Sequence, residues 1–221
     1  DLDAVKRAMA ENRNEIAALI LEPVIGNSGP IIPKEGYLKA LREITEENDV
    51  LLIFDEVITG FRLAMGGAQQ YFGVTPDITT LGKIAGGGLP VGVFGASEEI
   101  MSLVSPLGKV YQAGTFSGNP MSLAAGLATI GELAAQGHEE LNRKGESIRR
   151  GLSNALKDKG MGCREQGIGS MFQLFFTTGQ VWDYQDACRA NTMLFMRLFQ
   201  SLLDKGIYLP PSQFETNFLS T

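Results

Sequence analysis

Two side chains in this sequence have the types and positions to do chemistry together. Lys83 lies in Thr79-Thr80-Leu81-Gly82-Lys83-Ile84-Ala85-Gly86-Gly87-Gly88-Leu89-Pro90, and Asp55 closes the apolar run Val50-Leu51-Leu52-Ile53-Phe54. A primary amine condenses with an aldehyde, and a carboxylate keeps a heterocyclic nitrogen protonated. An amine and an acid, each at the end of a buried strand, are the two groups that hold a pyridoxal ring.

Each has a plainer reading. Asp55-Glu56 could be a loop acid or a helix cap. An apolar strand ending in Asp-Glu also resembles a magnesium-binding Walker B segment. That reading needs a phosphate loop ending in Gly-Lys-Ser/Thr, whereas Gly82-Lys83 is followed by Ile84 and lacks the upstream glycine. Lys83 could be a solvated surface lysine. Against this stand its apolar neighbours and the run Gly86-Gly87-Gly88, which permits close backbone approach to a planar ligand. A lysine in such surroundings can act as a nucleophile. A third stretch, Gln112-Ala113-Gly114-Thr115-Phe116-Ser117-Gly118-Asn119-Pro120, offers hydroxyl and amide donors to a phosphate just before a helix. Ser-Gly-Asn-Pro is equally an ordinary turn and helix start.

The elements that must position these groups follow from hydrophobic spacing. Asp3 can cap a helix over 4–14. Ala17–Leu21 reads as a strand covered on both faces, and Pro33 opens a helix with Tyr37, Leu38, Leu41 and Ile44 at helical spacing. Val50–Phe54 is the next strand, so the order strand, helix, strand predicts a right-handed crossover and a parallel sheet. Asp77–Leu81 and Leu89–Phe94 read as further strands, and Glu98–Val104 as a short helix. Residues 119–135 read as a helix buried almost all round, and 138–158 as an amphipathic helix with Leu141, Ile148, Leu152 and Leu156 inward. Beyond Gly160 the spacing predicts strands at Met161–Arg164, Met171–Phe176 and Ile207–Leu209, with a helix over Gln185–Lys205. The expected architecture is α/β, with a large domain over 1–158 and a smaller α+β domain over 159–221. Open parallel sheets bind ligands beyond the carboxyl ends of their strands, so Asp55 and Lys83 are expected to face one crevice.

Bulk properties exclude other classes. The net charge of −6 argues against nucleic acid, which draws a basic stripe. No apolar stretch reaches the roughly 20 residues needed to span a bilayer. Cys163 and Cys188 form no spaced cluster, and the lone His138, beside Glu139 and Glu140, makes neither metal site nor triad. The reading for His138 is a solvated position on a polar helix face.

These stretches together resemble the class III, fold type I pyridoxal-phosphate aminotransferases. The likeness runs from Leu21-Glu22-Pro23-Val24-Ile25-Gly26-Asn27 through Phe54-Asp55-Glu56-Val57-Ile58-Thr59-Gly60-Phe61-Arg62 and the lysine segment. Gly66-Gly67-Ala68-Gln69, Tyr111-Gln112-Ala113-Gly114-Thr115 and Pro211-Ser212-Gln213-Phe214-Glu215 are similar, more particularly, to the glutamate-1-semialdehyde 2,1-aminomutase branch of that family. The resemblance implies that Lys83 holds pyridoxal 5′-phosphate (or its pyridoxamine form) and shuttles protons, with Asp55 at the ring nitrogen. Val57 and Ile58 would pack against the ring, and Asn27 would lie near the ring hydroxyl and the substrate. Thr115 would bind the cofactor phosphate of the partner subunit in a homodimer, and Glu215 would approach the bound intermediate. An exposed apolar tract around Val110–Phe116 fits such a partner. Phe116 stands where the family has a smaller aliphatic residue.

What the resemblance implies chemically is conversion of glutamate 1-semialdehyde to 5-aminolevulinate, a step of tetrapyrrole (porphyrin and chlorophyll) synthesis, without an outside amino donor. It also implies a fragment lacking the N-terminal phosphate loop and the extreme C-terminus. Two rivals remain: an ω-aminotransferase with an external donor, disfavoured by Ile58 where many carry Gln, and a catalytically inactive truncated homologue. Cytoplasm and plastid stroma are both compatible with the sequence.

Overall fold

Leu52 and Phe54, two residues apart and so on one face of their strand, have no exposed surface. Ile20 and Leu51 are exposed, so the run at Ala17–Leu21 is not covered on both faces as its composition suggests. The computed structural model describes residues 1–220. Its contacts divide the chain into two compact units, Asp1–Pro23 with Lys34–Gln136, and Val24–Pro33 with Gly137–Thr221.

In the first unit, helix α1 (Leu2–Glu11) leads to strand β1 (Ala18–Leu21), helix α2 (Tyr37–Glu47) and strand β2 (Leu51–Asp55). Helix α3 (Gly67–Phe72), strand β3 (Ile78–Leu81), a 3₁₀ turn (Lys83–Gly86), strand β4 (Val93–Ala96) and the short helix α4 (Glu98–Met101) follow, then α5 (Pro120–Gln136). The sheet order is β1-β2-β3-β4, with β1, β2 and β3 parallel and β4 antiparallel at the edge. The expected mainly parallel α/β sheet is therefore present.

Leu38, Leu52, Phe54 and Val74 form one buried cluster, and Met9, Ile44 and Val50 another beneath α1 and α2. Each such side chain contributes about 1.5–3 kcal/mol by leaving water. Asp77 Oδ2 accepts from Leu52 N (2.6 Å) and from Arg42 Nη1 (2.8 Å), clamping the starts of β2 and β3 to α2.

Several boundaries differ from the sequence reading. Helix α1 is capped by Asp1, whose Oδ1 accepts from Asp3 N (3.0 Å) and Ala4 N (3.3 Å), so Asp3 lies inside the first turn. Helix α5 is not buried almost all round: Ser122 and Gly126 are covered, while Met121, Leu123 and Leu127 are exposed. Its composition reads as buried because small and apolar residues occupy both its covered and its open face.

In the second unit, helix α6 (Glu139–Asp158) precedes strands β5 (Arg164–Ile168) and β6 (Met171–Phe175). Helices α7 (Tyr184–Cys188) and α8 (Thr192–Leu203) and strand β7 (Asn217–Phe218) complete it. The antiparallel order is β5-β6-β7. All of β6 is buried, and Phe175 packs with Ile31, Val181, Ala187 and Ala190. Ile31 comes from a small hairpin in which Ile25 and Ile31 exchange backbone hydrogen bonds of 3.1 and 3.0 Å.

Helix α6 was assigned to the first domain by sequence, yet it packs on β5 and β6, so the compact unit begins near Gly137 rather than at 158–160. Gly145 permits this: a Cβ there would stand 2.3 Å from Gly169 O. The single helix expected over Gln185–Lys205 is two, because Asn191 Oδ1 accepts from Leu194 N (3.1 Å) and starts a new one. Residues 207–209 form no strand, and the first strand of the unit starts at Arg164 rather than Met161. His138 is a partly buried position at the start of α6 rather than a residue on an open face.

Candidate functional site

Asp55 is the last residue of β2, in register with Thr80 on β3. Its Oδ1 accepts from Val57 N (3.1 Å) and from Thr80 Oγ1 (3.2 Å). Its Oδ2 has no protein hydrogen bond among the described residues. The half-buried carboxylate is thus oriented through one oxygen and open through the other, an arrangement suited to a charged N–H donor.

Lys83 follows the end of β3 by two residues and opens the 3₁₀ turn with φ 46°, in the left-handed region. A non-glycine residue there stores strain on the order of 1–3 kcal/mol, and such positions cluster at functional sites. What holds it is α5. A Cβ on Gly126 would lie 2.2 Å from Ala85 O, and one on Gly87, itself at φ 57°, 2.4 Å from Ala125 O. Only glycines let helix and turn approach this closely. The Lys83 side chain is exposed and makes no hydrogen bond or ion pair among the described residues. It borders a cleft of about 630 Å³ lined by Ile84, Gly87, Leu89, Pro90, Val91 and Thr129.

Asp55 and Lys83 thus emerge at the carboxyl ends of adjacent parallel strands. Asp55 is not among the residues lining the cleft beside Lys83. Val57 lies against Gly82: a Cβ on that glycine would be 3.3 Å from Val57 Cγ1. Ile58 is buried. Thr115 is exposed in the turn before α5, and its hydroxyl has no protein partner among the described residues. Just past that stretch, the amides of Met121 and Ser122 donate to Asn119 Oδ1 at 2.9 and 3.3 Å. The helix-start reading of that stretch holds for Asn119.

Asn27 and Glu215 belong to the second unit, and both side chains are exposed. Their segments are tied together: Gly29 N donates to Phe214 O (2.7 Å), and Thr216 Oγ1 donates to Gly26 O (2.7 Å).

Glu56, for which the sequence offers a loop acid or a helix cap as the plainer reading, is 1% exposed. It accepts from Thr59 Oγ1 (3.0 Å), from Ala68 N, and from Gln69 N and Nε2 (both 3.1 Å). Glu56 is therefore a cap for α3, the plainer role weighed for the Asp-Glu pair. A second cleft of about 520 Å³ opens beside it, bordered by Phe61, Met65, Gln70 and Leu81. Sequence reasoning missed Thr80, since its link to Asp55 depends on a strand register that local spacing does not encode.

A family model for aminotransferase class-III matches residues 2–216. The chain belongs to the class-III aminotransferase family. Among curated relatives of this class-III chain, the glutamate-1-semialdehyde 2,1-aminomutase of Methanococcoides burtonii is 54% identical over 222 residues, covering 100% of this chain and 52% of that protein. The protein of the same name from Citrifermentans bemidjiense is 50% identical over 220 residues, covering 99% and 52%. The chain spans about half the length of the curated relatives it matches. A solved β-phenylalanine aminotransferase from Variovorax paradoxus superposes with TM-score 0.92 at 35% identity, over 100% of this chain and 51% of that one. A glutamate-1-semialdehyde-aminomutase from Pseudomonas aeruginosa, in complex with PMP, does so with TM-score 0.84 at 28% identity, over 99% and 50%.

Among the described residues no helix is long and apolar enough to cross a membrane, and no group of three or more His, Cys, Asp or Glu could hold a metal ion.

Proposed function

We propose that the complete enzyme converts glutamate 1-semialdehyde to 5-aminolevulinate with pyridoxal phosphate as cofactor, as an aminomutase supplying tetrapyrrole synthesis. The observation that carries this reading is the 50–54% identity to curated aminomutases along essentially the whole of this chain. The residues present fit the cofactor: Asp55 offers an open carboxylate oxygen and Lys83 an unpaired amine, at neighbouring strand ends.

When bound, the cofactor supplies an electron sink for charge developing on the substrate carbon. Asp55 would keep the ring nitrogen protonated through Oδ2, while Thr80 and Val57 hold its other oxygen. Lys83 Nζ would carry a proton between the substrate carbon bearing the amino group and C4′ of the cofactor, as general base and then acid. The glycine contacts of α5 fix the backbone that aims this amine. Val57 and Ile58 would flank the ring, Asn27 would approach its hydroxyl, and Glu215 would face the substrate.

A homodimer fits the exposed apolar side chains of Tyr111, Phe116, Met121, Leu123 and Leu127, since exposed apolar surface is what interfaces cover. Thr115, in the same tract, would reach the partner's cofactor phosphate. Archaeal and bacterial relatives favour the cytoplasm over a plastid, and tetrapyrrole supply in general over chlorophyll.

The second reading, an aminotransferase with an external donor, is favoured by the β-phenylalanine aminotransferase, which is more similar to this chain than the solved aminomutase is. The deciding assay is isomerisation of the semialdehyde by the holoenzyme with no added amino donor or keto acid. Turnover is the expected result; dependence on a donor would transfer the assignment to the second reading. Lys83→Ala in the same enzyme is expected to bind cofactor non-covalently, seen as absorbance removable by dialysis, and to have no turnover.

A further inference from the structure

Strand β6 reads Met171-Phe172-Gln173-Leu174-Phe175, and its central residue is an amide with no exposed surface. An uncompensated amide in such a core costs on the order of 1–3 kcal/mol, so an amide kept there must be fully bonded. Gln173 is. Its Nε2 donates to Ser212 O (3.3 Å) and to Glu215 O. Its Oε1 accepts from Leu174 N (2.8 Å) and from Asn217 Nδ2 (3.1 Å). Asn217 Nδ2 also donates to Phe172 O (3.1 Å), returning the link to β6.

These bonds grip both ends of the four residues Ser212-Gln213-Phe214-Glu215 from below. From the side, the same loop holds the hairpin that carries Asn27, through Gly29 N to Phe214 O and Thr216 Oγ1 to Gly26 O. One buried amide therefore fixes the main chain of Glu215 directly and that of Asn27 at one remove. Phe175 reinforces the arrangement: Gly29, at φ 72°, sits so close that a Cβ there would be 2.3 Å from Phe175 Cζ. The main chain beneath each of these exposed side chains is thus held by a strand that neither belongs to.

We propose that Gln173 is a positioning residue for substrate recognition, acting through the backbone of Glu215 and the Asn27 hairpin. The inference rests on the reading above, in which those two side chains face the substrate. A core amide serving stability alone would leave kinetic constants untouched wherever the protein remains folded. A positioning amide has another signature, because a displacement near 1 Å in substrate-holding groups costs up to about 10²-fold.

The test uses the holoenzyme with Gln173→Leu, near in volume and without hydrogen-bonding groups, assayed well below its melting temperature. The expected result is a KM for the semialdehyde raised by roughly tenfold, kcat changed by less than about threefold, and cofactor absorbance unaltered, the pattern of lost uniform binding. An unchanged KM in folded Gln173→Leu overturns the proposal. If that variant does not fold, Thr216→Val removes only the bond to Gly26 O, and a KM raised by about threefold or more supports the same link. An unchanged KM in folded Thr216→Val then overturns it. Failure of the parent enzyme to isomerise counts against the aminomutase reading instead, and the KM and kcat split is then read on the external-donor reaction.

Discussion

Asp55 is held through one oxygen by its own strand end and by Thr80, which gives the free oxygen a fixed direction. Asp55→Ala removes a preorganised charge, a loss on the order of 10²–10³-fold in kcat. Steady-state kinetics on the holoenzyme check it, and an unchanged rate would remove Asp55 from the ring nitrogen. Cys163 makes a different prediction. Burial, and secondarily Glu165, pushes its thiol up from 9.0 to about 11. The folded protein then holds a proton that the unfolded chain releases, so stability falls as pH rises from about 9 to about 11. Urea melts across that window should steepen this loss in the parent relative to Cys163→Ala. Asp55 was legible because it ends an apolar run, and Lys83 because of its apolar neighbours and the Gly86-Gly87-Gly88 run beside it. Thr80 and Gln173 were not, since their roles depend on register and on a loop far along the chain. The lone amide in Met171–Phe176 was nevertheless a visible anomaly.

Helix α5 and the Lys83 turn meet through glycine on both sides, and substitution there tests how the lysine is held. Gly126→Val drives a side chain into Ala85 O, and overpacking of this kind costs about 1–3 kcal/mol. Gly131, with nothing within 4 Å of its Cβ position, is the control: Gly131→Ala is expected to stabilise by about 0.5–1 kcal/mol. Thermal melts of the two should move in opposite directions, and activity should fall only in Gly126→Val. Period and breaker residues were enough to find the β1-α2-β2 crossover. They failed where a cap interrupts an unbroken apolar period, as Asn191 does between α7 and α8. They failed again at α5, where one composition serves a covered face and an open one.

At the scale of the molecule, residues 24–33 belong with the second unit although both their chain neighbours belong to the first. The backbone passes between the units after Pro23, again before Lys34, and once more near Gly137. The second unit is therefore a discontinuous domain that no single cut can excise. A piece comprising 137–221 alone would leave Phe175 without Ile31 and Gly29, and Phe214 O without its donor. Such a piece is expected to bind a hydrophobic dye and to lack a cooperative melt; adding a peptide of residues 22–35 should recover order. Swapping this region between relatives would accordingly require two exchanged segments, one of them only a hairpin long.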